Sequence, residues 1–168
     1  MDLHIRPATP DEYSLLGDLV AHAYLREGLL DFGEDDPYLP VLKDVAGRAE
    51  HAEILVAETP AGAIGTITFV PVGGGPMADI AGPAEAEIRM LAVTPEARGK
   101  GAGEALVRAC IERADTAERI VLSSQSAMHA AHRLYERLGF VRTPSRDWNP
   151  VPHLDDLTLL TYELTLST

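Results

Sequence analysis

Six consecutive residues, Arg98-Gly99-Lys100-Gly101-Ala102-Gly103, bring backbone freedom and positive charge to one point of an acidic chain. Glycine lets a backbone approach a ligand closely. Amides exposed where such a turn opens a helix attract a pyrophosphate, and Arg98 and Lys100 add charge to that site. The residues that follow are read as that helix, because Ala102, Ala105, Leu106, Ala109 and Cys110 recur at helical spacing. Two familiar phosphate loops are excluded by spacing. A Walker loop needs Ser or Thr after its Gly-Lys, where Gly101 stands, and a dinucleotide fingerprint needs glycine at the position of Glu104. Taken alone, the hexapeptide remains open to a second reading, a structural tight turn.

Two other groups have chemical potential. Glu87 lies in the strand-like run Glu85 to Val93, where alternation places Glu85, Glu87, Arg89 and Leu91 on one face. It is open to reading as a proton acceptor or as the partner of Arg89 or a neighbour in a salt bridge. Tyr135 stands on a helical stripe with Ala131, Leu134 and Leu138, and is either a core tyrosine or a proton donor. His129 and His132, on the same predicted helix, read as surface residues.

The elements that must position these groups follow from periodicity. Leu3 to Arg6 reads as a strand, and Thr9-Pro10-Asp11-Glu12 as a capping box opening a helix with Leu16, Leu19, Val20, Ala23 and Tyr24 on its buried face. Gly33 to Pro37 interrupts, and a weaker helix is predicted from Leu39 to Arg48. Strands at 54–58 and 63–70 flank the turn Thr59-Pro60-Ala61-Gly62. Residues 71–84, with Gly73-Gly74-Gly75-Pro76, read as a mobile loop. The strand at 85–93 is followed by the glycine turn, a helix to Ala114, a strand at 119–123, a helix at 128–138, and strands at 140–142 and 157–166. This order describes an α/β sheet with helices on both faces.

Composition narrows the function classes. The 168 residues suit a single domain spanning 1–168, and 46% apolar with 24% charged residues is ordinary for a soluble protein. The 26 acidic and 14 basic residues leave a net charge of −12, which disfavours nucleic acid and an anionic membrane surface. No apolar run approaches the roughly 20 residues of a membrane span. The opening Met1-Asp2-Leu3-His4-Ile5-Arg6 lacks the segments of a secretory signal, so a cytoplasmic location is expected. A single cysteine, Cys110, leaves no disulfide and no cysteine cluster for a metal, and no metal is expected.

Three segments in order carry a resemblance. Arg98, Gly101 and Gly103 match Gln or Arg, two residues, Gly, one residue, then Gly or Ala. The strand and turn Ala86 to Glu96 precede that motif, and Leu134-Tyr135-Glu136-Arg137-Leu138-Gly139-Phe140 follows it. Over residues 86–142 the chain resembles the Gcn5-related N-acetyltransferase (GNAT) superfamily. The resemblance implies a mixed, mostly antiparallel sheet of six to seven strands, about four helices on both faces, and a V-shaped splay between the fourth and fifth strands. It implies acetyl-CoA as cosubstrate, a primary amine on a small molecule or a protein as acceptor, and direct attack in a ternary complex.

By the same resemblance, the backbone of Leu91, Ala92 and Val93 meets the pantetheine arm, with the Leu91 amide facing the thioester oxygen. Residues 98–103 (Arg98, Gly99, Lys100, Gly101, Ala102, Gly103) cradle the pyrophosphate, with Met128 and Ala131 beside the cofactor. Tyr135 is then the general acid and Glu87 the candidate base. Many members carry an asparagine where this chain has Met128, so contact there is apolar or passes to Ser123, Ser124 or Ser126. Selectivity in the family resides in the first two helices and the loop before the last strand. There Glu34, Asp35 and Asp36 are open to reading as a cation-attracting or simply solvated turn, and Trp148 as pocket wall or core cover. Acylation of a hydroxyl and a non-catalytic acyl-CoA sensor of the same fold remain alternatives, and homodimers are common in the family.

Overall fold

The computed structural model describes residues 3–30, 32–97, 99, 101–151 and 158–166. Its strands are β1 (His4–Pro7), β2 (Glu53–Thr59), β3 (Gly62–Val70), β4 (Glu85–Val93), β5 (Arg119–Gln125), β6 (Val141–Arg142) and β7 (Leu159–Thr165). They form one sheet in the order β1-β2-β3-β4-β5-β7-β6, and the parallel pair β4–β5 sits inside otherwise antiparallel neighbours. Helices cover both faces: α1 (Tyr13–Arg26), α2 (Leu39–Lys43) and α3 (Val45–Ala49) on one, α4 (Ala102–Arg113) and α5 (His129–Arg137) on the other. Strands buried on both faces read as nearly continuous apolar runs. In β2, Leu55 and Ala57 join the α4 side while Ile54 and Val56 join the α1 and α3 side.

Two expected elements differ in detail. The helix expected from Leu39 to Arg48 is two, because Asp44 leaves helical geometry at ψ 67° and its side chain accepts from the Gly47 amide to start α3. Part of the 71–84 segment, read as mobile, is tied down. Gly75–Met77 forms a short 3-10 turn and residues 77–82 are bonded to side chains of β4. The last strand begins at Leu159, and the start expected at Leu157 lies outside the described residues.

The centre of the sheet carries the feature that shapes the site. Between β3 and β4 the register moves from Thr68↔Arg89 to Thr66↔Ala92, so Ile67 alone opposes both Met90 and Leu91. This is a β-bulge, and Met90 within it has φ 54°, in the left-handed region that side chains rarely adopt. The extra residue resets the alternation. Glu85, Glu87 and Arg89 share a face as expected, but Leu91 does not join them, since Met90 and Ala92 pack with α1 while Leu91 and Val93 turn to the side of Ala86 and Ile88. On its other edge β4 pairs with β5 only from Glu85↔Arg119 to Ile88↔Leu122. Both strands run on, to Val93 and Gln125, without pairing to each other. A V-shaped gap results.

Met90 fixes this gap, so its backbone can be tested directly. A β-branched side chain is more strained than an unbranched one at positive φ, by roughly 1–3 kcal/mol. Met90→Ile is expected to unfold at lower denaturant than Met90→Leu, its isomer with no branch at Cβ. Equal midpoints for the two variants would remove the bulge from the determinants of stability.

Candidate functional site

Backbone geometry defines the first wall of the gap. Thr94 donates its amide to the Ile64 carbonyl of β3. Successive amides along a strand point to opposite edges, so those of Leu91 and Val93 face the open side. Opposite them, Gly101 caps α4 in the left-handed region at φ 81° with no side chain on the helix amides. First-turn N–H groups are therefore available to an anion. A Cβ on Gly103 would stand 3.3 Å from Leu134 Cδ2. Glycine there lets α4 approach α5 closely.

These groups line a cavity of about 590 Å³. Of the residues assigned to cofactor by resemblance, Leu91, Ala92, Val93, Gly99, Gly101, Ala102, Gly103, Met128 and Ala131 all meet in its walls. Arg98 and Lys100 lie outside the described residues. Tyr24 and Leu29, at the end of α1 and just past it, were not singled out for this wall, since Tyr24 fits the apolar stripe of the helix.

A second cavity, about 610 Å³, opens on the other side of the gap. The two share Tyr24, Leu29, Leu91 and Met128. Tyr135 and Glu87 both line the second one. Tyr135 is 5% exposed, its ring packed near those of Phe140 and Tyr162. Burial pushes its hydroxyl pKa up, as it does for Tyr24, whose shift is reinforced by Tyr38 and Tyr135. Both phenols stay protonated at neutral pH. Trp148 forms another part of this wall, pinned by paired backbone bonds to Leu159 and by its Nε1 donating to Ser123 Oγ at 2.9 Å.

Ser124 and His132 occupy the end of the gap near Met128. His132 is 9% exposed, so the reading of it as a surface residue is corrected: the curved end of β5 closes over the α5 face that carries it. His129 is exposed. Nε2 of His132 lies 3.0 Å from both the Gln125 carbonyl and Ser124 Oγ. A carbonyl only accepts, so Nε2 carries the proton, and Ser124 can use its own O–H as a donor, here towards Met128 Sδ at 3.6 Å. Burial lowers the His132 pKa and favours this neutral state.

Glu87 does not pair with Arg89. Its Oε1 accepts from the amides of Asp79, Ile80 and Ala81, each at 3.0 Å, and the side chain is fully buried. Burial raises its pKa, with the amides of Ile80 and Ala81 opposing. Arg89 instead meets Asp79 at 3.1 Å and the Met77 carbonyl at 3.0 Å. Glu85 accepts from the Gly82 amide and takes both terminal nitrogens of Arg146, which also donates to the Ile80 carbonyl. The segment from Met77 to Gly82 thus hangs on β4, and Asp79 from it lines the second cavity. Among the described residues no group of three or more His, Cys, Asp or Glu could hold a metal ion, and no helix is long and apolar enough to cross a membrane.

Comparisons with known proteins agree with this geometry. The model of the acetyltransferase (GNAT) family matches residues 18–140. An uncharacterized N-acetyltransferase of Schizosaccharomyces pombe is 30% identical over 138 residues, covering 77% of this chain and 80% of that protein. The fold is similar to that of yncA from Salmonella typhimurium, solved with its cofactor acetyl-CoA, at TM-score 0.72 and 22% identity over 98% of this chain and 94% of that one. It is also similar to a histone acetyltransferase HPA2 and related acetyltransferase from Corynebacterium glutamicum, at TM-score 0.75 and 22% identity over 100% and 98%.

The clamp on residues 77–82 has a pH signature. Arg146 holds the Glu85 carboxyl down at about 2, against its ordinary 4.5. A depressed folded-state pKa contributes stability that is present above the unfolded value and is lost as pH falls through the folded one. The melting-temperature gap between wild type and Glu85→Gln should be widest near pH 6 and close between pH 4.5 and 2. A gap independent of pH would show that the charge pair does not hold the loop.

Proposed function

The chain belongs to the acetyltransferase (GNAT) family, and on that premise we propose that it transfers an acetyl group from acetyl-CoA to a primary amine by direct attack in a ternary complex. The observation that carries this reading is the stretch beyond Ile88 and Leu122 in which β4 and β5 no longer pair with each other, with two cavities that meet at Leu91 and Met128. A pantetheine arm offers amides that can pair with the open edge of β4 as an added strand does. Its pyrophosphate suits the uncapped first turn of α4. A protein of the same fold, yncA, was solved with its cofactor acetyl-CoA, which supports the same cosubstrate here.

The thioester then lies at Leu91, whose outward amide is a donor to the oxygen that gains charge as the amine attacks. The nitrogen forms its bond to the acetyl carbon, the C–S bond breaks, and the sulfur takes a proton from Tyr135. A phenol held neutral by burial is in the correct state to give that proton, and the same burial raises the proton affinity of the departing thiolate. An alkyl amine with pKa near the lysine value of about 10.4 must lose one proton to attack and one as the amide forms. We assign the first of these protons to Glu87 through water, since Leu91 lies four residues along a bulged strand from it. Burial makes that carboxylate a stronger base than usual. The second amine proton passes through water to the Tyr135 phenolate, and Glu87 releases its own to solvent, which closes the cycle.

Tyr135→Phe keeps the ring packing and removes the proton. Its turnover should fall by roughly 10²–10⁴-fold with acetyl-CoA affinity unchanged. Wild-type turnover in this variant would sink the assignment. Glu87→Gln can still accept loop amides through its carbonyl oxygen but cannot take a proton, whereas Glu87→Ala loses both. Turnover reduced in Glu87→Gln, with melting temperature near wild type, supports Glu87 as base; turnover retained there and lost in Glu87→Ala limits Glu87 to holding the loop. Acetyl-CoA binding with no thiol released to any amine would overturn the transferase reading as a whole.

A further inference from the structure

We propose that the acceptor is an amine carried on an uncharged apolar or aromatic body, and that amines bearing a carboxylate beside the amino group are rejected. The inference rests on the transferase reading for the location of the acceptor, but its argument comes from the second cavity alone. Rings of Phe32, Tyr38 and Trp148, with Leu30, Val151 and Leu159, make the wall predominantly apolar. At about 610 Å³ it is large enough for a small ligand to be mostly enclosed.

Charge decides the polar end. The cavity has three carboxylates in its wall, Asp36, Asp79 and Glu87, against the guanidinium of Arg89. Arg89 is already committed, to Asp79 at 3.1 Å, to the Met77 carbonyl at 3.0 Å and to the Tyr38 hydroxyl at 3.4 Å, with its side chain 14% exposed. A second buried guanidinium, Arg48, donates to the Val41 carbonyl and is not in the wall. A ligand carboxylate would therefore enter an apolar, net negative space and find no uncommitted cation among the described lining residues. The burial cost of an unpaired charge falls on that ligand and not on a simple ammonium. The ammonium is favoured by the carboxylates, and the aromatic faces of Tyr38 and Trp148 suit both it and an apolar body. Asp79 is the specificity-determining residue in this scheme. By occupying Arg89 it removes the one guanidinium in the described wall that would otherwise take a carboxylate.

Trp148 is the only tryptophan in the chain, so its fluorescence reports occupancy of this cavity whether or not turnover follows. The protein with CoA present should be titrated with 2-phenylethylamine and with L-phenylalanine, which differ by the carboxylate alone. Saturable change with the amine, at least about tenfold tighter than with the amino acid, is expected. Equal or tighter binding of phenylalanine overturns the proposal, and so does the absence of change with either ligand. Asp79→Asn frees Arg89 and should narrow the preference by about tenfold, while Phe32→Ala, at a position 57% exposed and safe for folding, should weaken 2-phenylethylamine several-fold. An unaltered preference in Asp79→Asn would remove Asp79 from this role. Selective binding of 2-phenylethylamine without its acetylation would count against the transferase reading and leave the cavity assignment standing.

Discussion

One backbone constraint underlies the whole centre of this molecule: β4 carries an extra residue against β3, with Met90 held at positive φ, and ends its pairing with β5 at Ile88. A strand inside a sheet ordinarily satisfies both edges with neighbours. Here the last part of one edge is left for something else. The same bulge turns Leu91 and Val93 away from α1 and towards α4, so the open amides stand opposite the glycine turn and uncapped first turn of α4. Register, side-chain face and ligand-binding surface are thus consequences of a single inserted residue.

The second half of the site is built by carboxylates acting on backbone. Glu85 and Glu87, from one face of β4, accept four loop amides between them, while Arg89 from the same face and Arg146 hold loop carbonyls and, through Arg89, the Asp79 carboxylate. A loop whose polar backbone is satisfied in this way can lie against the sheet without a helix or strand of its own. That arrangement converts a glycine-rich connection into a wall. It also explains why acidic residues stand in a central strand, where they would otherwise be costly.

Much of the fold was legible because apolar periodicity and turn residues are local signals. The succession of strands and helices along the chain, the two-sided helix layers and the glycine turn all follow from residues close in sequence, and the three motifs between 86 and 142 carry the resemblance to the family. The bulge was not legible, since Met90 carries no mark of positive φ, and strict alternation therefore put Leu91 on the wrong face. Of the two readings of Glu87, the salt bridge came from charged neighbours visible in sequence, whereas amides contributed by a folded-back loop are not visible there. His132 was misjudged for a related reason: its burial depends on Ser124 and Gln125 at the end of β5, only eight and seven residues earlier, folding back onto the α5 face, which the periodicity of α5 does not record. Trp148 was ambiguous as a single residue and Tyr24 read as part of a buried stripe, and only the packing of α1, β7 and their connections gathers them around the gap.

Cys110 lies on α4 within the core shared by Tyr135, at 0% exposure, and burial pushes its thiol up to about 12. Thiolate is the form that reacts with electrophiles, so this side chain is shielded twice, by access and by ionisation. The acyl donor, by contrast, gives up a solvent-borne thiol at every turnover. Colorimetric thiol reagents added to the folded protein therefore register a released thiol against a nearly silent background, because Cys110 gives thiol-directed reagents no handle.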